Sequence, residues 1–168
     1  MRVHKSPLRP DSIHALGMSA RLGIALLAGF VSLGGGIVTA ADLSVTGGAS
    51  DSNSSPVTYG NVLVSGQSGG ISSTYTANAA FNATGSFTLS DTGIFVANAA
   101  TTLSSAATLS GSAQLQLNAG QFDAANLNLS GGSSVVRGGG ANTLRMGRFY
   151  TNGVGTTLTL KNGDEIYA

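Results

Sequence analysis

FTLSDTGIFVANAATTLSSA (87–106) and ATLSGSAQLQLNAGQFDAAN (107–126) decide the fold. Laid one above the other, they place Thr88-Leu89-Ser90 over Thr108-Leu109-Ser110 and Asn98 over Asn118. The beat continues outward to Asn78 on one side and to Asn128-Leu129-Ser130 on the other. Phe87, Ala107 and Leu127 keep the same step, as do Phe95, Leu115 and Val135. Self-similarity at a period of twenty residues is the signature of a solenoid.

Within each period the apolar residues alternate with polar ones, as in Phe87-Thr-Leu89, Ala113-Gln-Leu115-Gln-Leu117 and Leu158-Thr-Leu160, which predicts short strands. Gly69-Gly70, Gly131-Gly132, Gly138-Gly139-Gly140 and Asn162-Gly163 supply residues that turn corners with positive φ. At roughly 3.3 Å per strand residue, one period has a contour of about 65 Å, enough for two or three strands and their corners. The expected architecture is therefore all-β, a parallel β-helix with about twenty residues per coil, in which stacked coils bury one another's inner side chains. Leu89, Leu109 and Leu129 form one inward column, Phe87, Ala107 and Leu127 a second, and Phe95, Leu115 and Val135 a third. Aligned on Val45, Val64, Leu89, Leu109, Leu129 and Leu160, the chain makes about six coils. They are regular over about 77–136, with irregular insertions expected at about 65–75 and 137–153. An antiparallel sandwich is the competing architecture, but it has no reason to place identical residues at a fixed step.

Asn78, Asn98 and Asn118, flanked mostly by alanine, read as an internal ladder in which each amide bonds the next and so satisfies a corner.

Residues 1–40 differ from the rest. Arg2, Lys5, Arg9 and Arg21 precede an apolar run from Leu22 to Leu33, and Val38-Thr39-Ala40 carries small residues suited to signal peptidase. We read 1–40 as a signal peptide cleaved between Ala40 and Ala41, with Met18 as an alternative start, and 41–168 as the exported domain. Past the cut, four basic residues face six acidic ones, a net charge of −2, so the basic character of the whole chain belongs to the leader and implies no nucleic-acid partner. The chain has no cysteine, so its fold rests on backbone ladders and packing without disulfides. No later segment is apolar enough to stay in a bilayer, and no cofactor or metal motif occurs.

Both histidines, His4 and His14, lie in the leader, which removes the imidazole bases and ligands of the common hydrolytic and metal sites from 41–168. Carboxylate chemistry needs two acids facing each other across a bond. Asp164 and Glu165 are adjacent and would point to opposite sides of a strand, whereas Asp91 and Asp123 are 32 residues apart and out of phase with the period. Calcium would need clustered oxygen ligands, and the acids are scattered. Arg137, Arg145 and Arg148, beside Phe149 and Tyr150, form the one cationic cluster, which reads first as a loop kept soluble by charge and alternatively as a contact for an anionic ligand such as an acidic sugar or a phosphate.

Taken together, the leader, the cysteine-free Gly/Ser/Thr/Asn/Ala-rich repeats, and units such as Leu127-Asn-Leu-Ser-Gly-Gly132 and Leu158-Thr-Leu-Lys-Asn-Gly163 resemble the passenger regions of autotransporter-type surface proteins of Gram-negative bacteria. The resemblance implies a right-handed β-helix shown at the cell surface and used in adhesion, aggregation or biofilm matrix. That family also carries a C-terminal membrane barrel, for which 41–168 has no matching segment. The expected function is that of a non-enzymatic surface or matrix module, with the periplasm as the alternative address. Its expected partners are a host or neighbouring-cell surface or glycan, and end-to-end self-association is a further expectation. The alternatives are a small carbohydrate-active β-helix enzyme and a self-assembling fibre subunit.

Overall fold

The computed structural model describes residues 40–67 and 69–167, so the leader and the bond before Ala40 lie outside the described residues. No helix occurs among those residues. Sixteen short strands wind into a solenoid with three faces. The first face stacks β1 (Leu43–Thr46), β4 (Val62–Ser65), β7 (Phe87–Ser90), β10 (Ala107–Leu109) and the later halves of β12 (Gly120–Ser130) and β14 (Asn142–Asn152). The second stacks β2 (Ser50–Asn53), β5 (Thr74–Ala77), β8 (Ile94–Ala97), β11 (Gln114–Leu117), β13 (Ser134–Arg137) and β15 (Thr157–Leu158). The third holds β3 (Val57–Tyr59), β6 (Phe81–Ala83), β9 (Thr101–Leu103), the earlier halves of β12 and β14, and β16 (Glu165–Ile166). Because β12 and β14 run unbroken round one corner, the first and third faces join into a single ten-stranded sheet.

Every pairing between these strands is parallel, which excludes the sandwich. The register follows the sequence period. Phe87 pairs with Ala107 and Ala107 with Leu127, Leu89 with Leu109 and Leu109 with Leu129, and Phe95 with Leu115 and Leu115 with Val135. All nine of these side chains are buried. Their alternation with polar neighbours works because successive residues of a strand point to opposite sides, so one side of each strand fills the interior.

The interior is most aromatic in the second and third coils. Phe95 from the second face lies 5.0 Å, centroid to centroid, from both Phe81 of the third face and Phe87 of the first, and stacks on Tyr75 at 5.7 Å. One ring from each face thus meets on the axis. Each buried Phe or Leu contributes about 1.5–3 kcal/mol by leaving water.

Successive coils, measured down the column that begins at Val45, pass through Val64, Leu89, Leu109, Leu129 and Thr151. The longest step, from Val64 to Leu89, contains an antiparallel bridge between Gln67 and Ile71.

The far end of the chain departs from expectation. Thr151, not Leu160, continues the column, and Leu160 is half exposed. Residues 137–153 are not an irregular insertion either, because Asn142–Asn152 is an eleven-residue strand in register with β12. Two arginines and Gly147 mask its alternation in sequence, yet Leu144 and Met146 are buried and Phe149 packs against the core.

One corner position explains several glycines at once. Asp91, Gly111, Gly131 and Gly153 stack directly after the first face, and all four have positive φ, between 55° and 121°. A Cβ on Gly111 would lie 3.0 Å from the Asp91 Cα, and one on Gly131 3.0 Å from the Gly111 nitrogen. Close stacking and the left-handed backbone both select glycine there. Asp91 is the exception that left-handed geometry tolerates best, and its carboxylate accepts a 3.0 Å bond from the Ser65 hydroxyl.

Candidate functional site: the outer rows and the polar ends of the solenoid

Side chains at corners and on outward strand positions form continuous rows, because parallel stacking repeats each position about every 4.8 Å. Asn78, Asn98 and Asn118 make such a row at the corner between the second and third faces. Asn98 Nδ2 donates to Asn78 Oδ1 and Asn118 Nδ2 to Asn98 Oδ1, both at 2.9 Å. The amides lie outside the solenoid: Asn78 and Asn98 are exposed and Asn118 is half-buried. This corrects the expectation of an internal ladder. A corner residue just after a buried Ala97 or Leu117 faces outward by alternation, and the flanking alanines keep the corner tight. The next member of the column is Gly138, where a Cβ would lie 2.5 Å from Asn118 Oδ1.

A second polar column occupies the corner before the first face. The Asp42 carboxylate accepts bonds from the Asn61 backbone at 2.7 Å and from its amide, and Asn61 Oδ1 accepts from the Ser86 nitrogen and hydroxyl at 3.0 and 2.9 Å. The bonds from Asn61 hold the Asp42 carboxyl below its usual range. Its steps of 19 and 25 residues, unlike the twenty of the asparagine row, hide this column in sequence. Ala41, at the expected cleavage point, joins the first coil through its carbonyl, which accepts from Gly60 at 2.9 Å.

The three arginines do not converge. Arg137 follows Val135 on the inward side of β13, and its guanidinium grips Asp164 with two bonds of 2.6 and 2.8 Å. The two side chains are only 2% and 3% exposed. Asp164 stands in the inward column of the third face, one coil after Leu144, and also accepts from the Leu144 and Lys161 nitrogens at 2.8 and 2.7 Å. Burial by itself would raise this carboxyl, but the bonds from Arg137 and the two backbone nitrogens outweigh it and pull it down to about 2.

Arg145 points outward on the third face, where it bonds Glu165 at 2.9 Å and the Tyr167 hydroxyl, with its guanidinium 5.3 Å from the Tyr167 ring centre. Tyr167 first and Arg145 second hold the Glu165 carboxyl low. Arg148 sits at the following corner and reaches the Tyr150 hydroxyl at 3.5 Å. A shallow depression of about 150 Å³ lies between Leu103, Asp123, Arg145 and Tyr167.

The remaining acids are dispersed. Asp51 is half-buried on β2, Asp91 is at a corner, Asp123 is outward on the third face and bonded to Gln121, and Asp164, just before β16, and Glu165, its first residue, make their contacts on opposite sides of the third face. No group of three acids or histidines gathers among the described residues. The Arg137 to Asp164 pair was missed by reasoning from sequence. The signal for it was the twenty-residue step from Leu144 to Asp164, together with the alternation from Val135 to Arg137.

At the opposite end, Asn53 is buried with its Oδ1 unbonded among the described residues, and the Tyr75 hydroxyl is likewise enclosed without a partner. Burial drives the Tyr75 pKa up.

Among the described residues the outward side chains of the first and second faces carry no charge, because the two charged residues on second-face strands, Asp51 of β2 and Arg137 of β13, stand in inward columns beside Tyr75 and Leu117. Outward positions on the first are Ser44, Thr46, Leu63, Ser65, Thr88, Ser90, Thr108, Ser110, Asn128, Ser130, Tyr150 and Asn152. On the second they are Ser50, Ser52, Thr74, Thr76, Ile94, Val96, Gln114, Gln116, Ser134, Val136 and Thr157. Comparison with protein-family models, curated proteins and solved structures finds no match.

Proposed function

We propose that residues 41–168 are an exported, non-enzymatic interaction module that acts at the cell surface or in an extracellular matrix, in adhesion, aggregation or biofilm-type contacts. The observation that carries this reading is the repetition of outward side chains in fixed register on a packed core, over two faces whose outward side chains carry no charge. Such rows suit many weak contacts with a repetitive surface. Dispersed acids, two of them held by arginines, support an interaction role over carboxylate catalysis.

Protease accessibility of the epitope-tagged protein tests the address, on intact cells and on cells whose outer membrane has been opened. Digestion on intact cells is the expected result. Digestion only after opening would make the protein periplasmic and end the adhesion reading.

End-on self-association is a second reading. It is favoured by the exposed apolar side chains of the last described coil, Val154 at 97% and Leu160, Ile166 and Tyr167 at about half. Rods that lengthen with concentration in electron micrographs would support it, and a monomer at high concentration would remove it.

A further inference from the structure

We propose that the first face of the solenoid binds a neutral polysaccharide, laid along the solenoid axis across Thr88, Thr108, Asn128 and Tyr150. The proposal rests on the interaction-module reading and names the partner.

These four residues stand in one outward row, since Thr88 pairs with Thr108, Thr108 with Asn128 and Asn128 with Tyr150. A parallel row of Ser65, Ser90, Ser110 and Ser130 runs two residues further along each strand. Parallel strands repeat about every 4.8 Å, close to the advance of one pyranose unit in an extended glycan. A sugar chain on this axis therefore meets equivalent hydroxyl and amide groups at each unit.

The row is held in place from within. Ser90 donates to Ser65 at 2.9 Å, Ser130 to the Leu109 carbonyl at 3.2 Å, and Asn128 to the Thr108 hydroxyl at 3.5 Å. Groups already ordered lose less entropy when a ligand arrives. Tyr150, half exposed at the end of the row, offers a ring face on which a pyranose can stack, with Arg148 at its hydroxyl.

Other partner chemistries fit less well. Phosphate-rich polymers and anionic lipids require clustered cations, and among the described residues the row has a single one at its edge, Arg148 beside Tyr150. Protein interfaces are built on aromatic, methionine and arginine anchors and are poor in serine, whereas Leu63 and Tyr150 are the large outward side chains here. The second face, with Ile94, Val96 and Val136 outward, lacks the continuous hydroxyl rows.

Affinity electrophoresis of the purified chain tests the proposal in gels containing neutral glucan, mannan or galactan, with polygalacturonate as the acidic control. Retardation by at least one neutral polymer and not by polygalacturonate is expected. Tyr150→Ala, and Thr88→Val with Thr108→Val, should each weaken it by about tenfold, the worth of one stacked ring or one set of hydrogen bonds. Gln114→Ala with Gln116→Ala on the second face should leave it unchanged, and circular dichroism checks that each variant folds. No retardation by any neutral polymer overturns the proposal, as does retardation that the first-face variants leave intact or that the acidic polymer alone produces. Attachment by cells carrying the combined first-face variant separates the two ideas. Attachment that persists in that variant would sink the glycan surface and leave the adhesion reading standing. A purely periplasmic protein would end the adhesion reading, while the gels would still decide the glycan surface.

Discussion

Arg137 and Asp164 form a two-bond ion pair inside the solenoid, joining the fifth coil to the sixth where the hydrophobic core ends. Arg137 also bonds the Asn142 side chain and carbonyl, so the guanidinium is surrounded by acceptors. An ionic layer in this position continues the inward columns beneath Leu117 and Leu144 with groups that specify one partner, where further leucines would not.

Removing one member leaves the other buried and unpaired. Asp164→Asn should therefore destabilise the protein by about 3 kcal/mol, read as a lower denaturation midpoint in urea. Replacing both with apolar residues, Arg137→Met with Asp164→Leu, should recover much of that loss. Equal losses in the single and double variants would show that the pair does not act as a unit.

Acid should release the same contact. A carboxyl whose folded pKa lies near 2, below its value of about 3.8 in the unfolded chain, binds protons more readily when unfolded. Its stabilisation is thus complete above about pH 4 and is lost as pH falls through 2. Melting curves of wild type and Asp164→Asn taken between pH 5 and 1.5 should converge at the acid end. A constant difference across that range would contradict the linkage.

Asn98 both donates to Asn78 and accepts from Asn118 in the outer ladder. Because the row faces water, Asn98→Ala should cost about 0.5–1.5 kcal/mol rather than the penalty of a stranded buried amide. Differential scanning calorimetry should show a modest fall in Tm. A loss several times larger would mean that the amides are enclosed in solution.

Gly111→Ala should destabilise by about 1–2 kcal/mol, since the residue must remain left-handed and its new Cβ would press on the Asp91 backbone at 3.0 Å. Gly139→Ala, with open space around its Cβ, is the matched control. Equal midpoints in chemical denaturation for the two variants would refute the corner argument.

Sequence alone determined the solenoid, its period, its inward Leu and Phe columns and the stacking of Asn78, Asn98 and Asn118. Those features are periodic, and in a parallel solenoid a fixed step in sequence becomes vertical contact. Tertiary structure decided what periodicity does not encode. It turned the asparagine row outward, because alternation leaves a corner residue next to a buried one on the solvent side. It drew Arg137 inward to Asp164 and left Arg145 and Arg148 outside, so the cationic cluster read from sequence dissolved into one core ion pair and two surface contacts. It also left the outward positions of the first two faces without a charged side chain, with Asp51 and Arg137 turned inward. Strand direction and winding, rather than distance along the chain, set which face a side chain occupies, and only the closed coil reveals them.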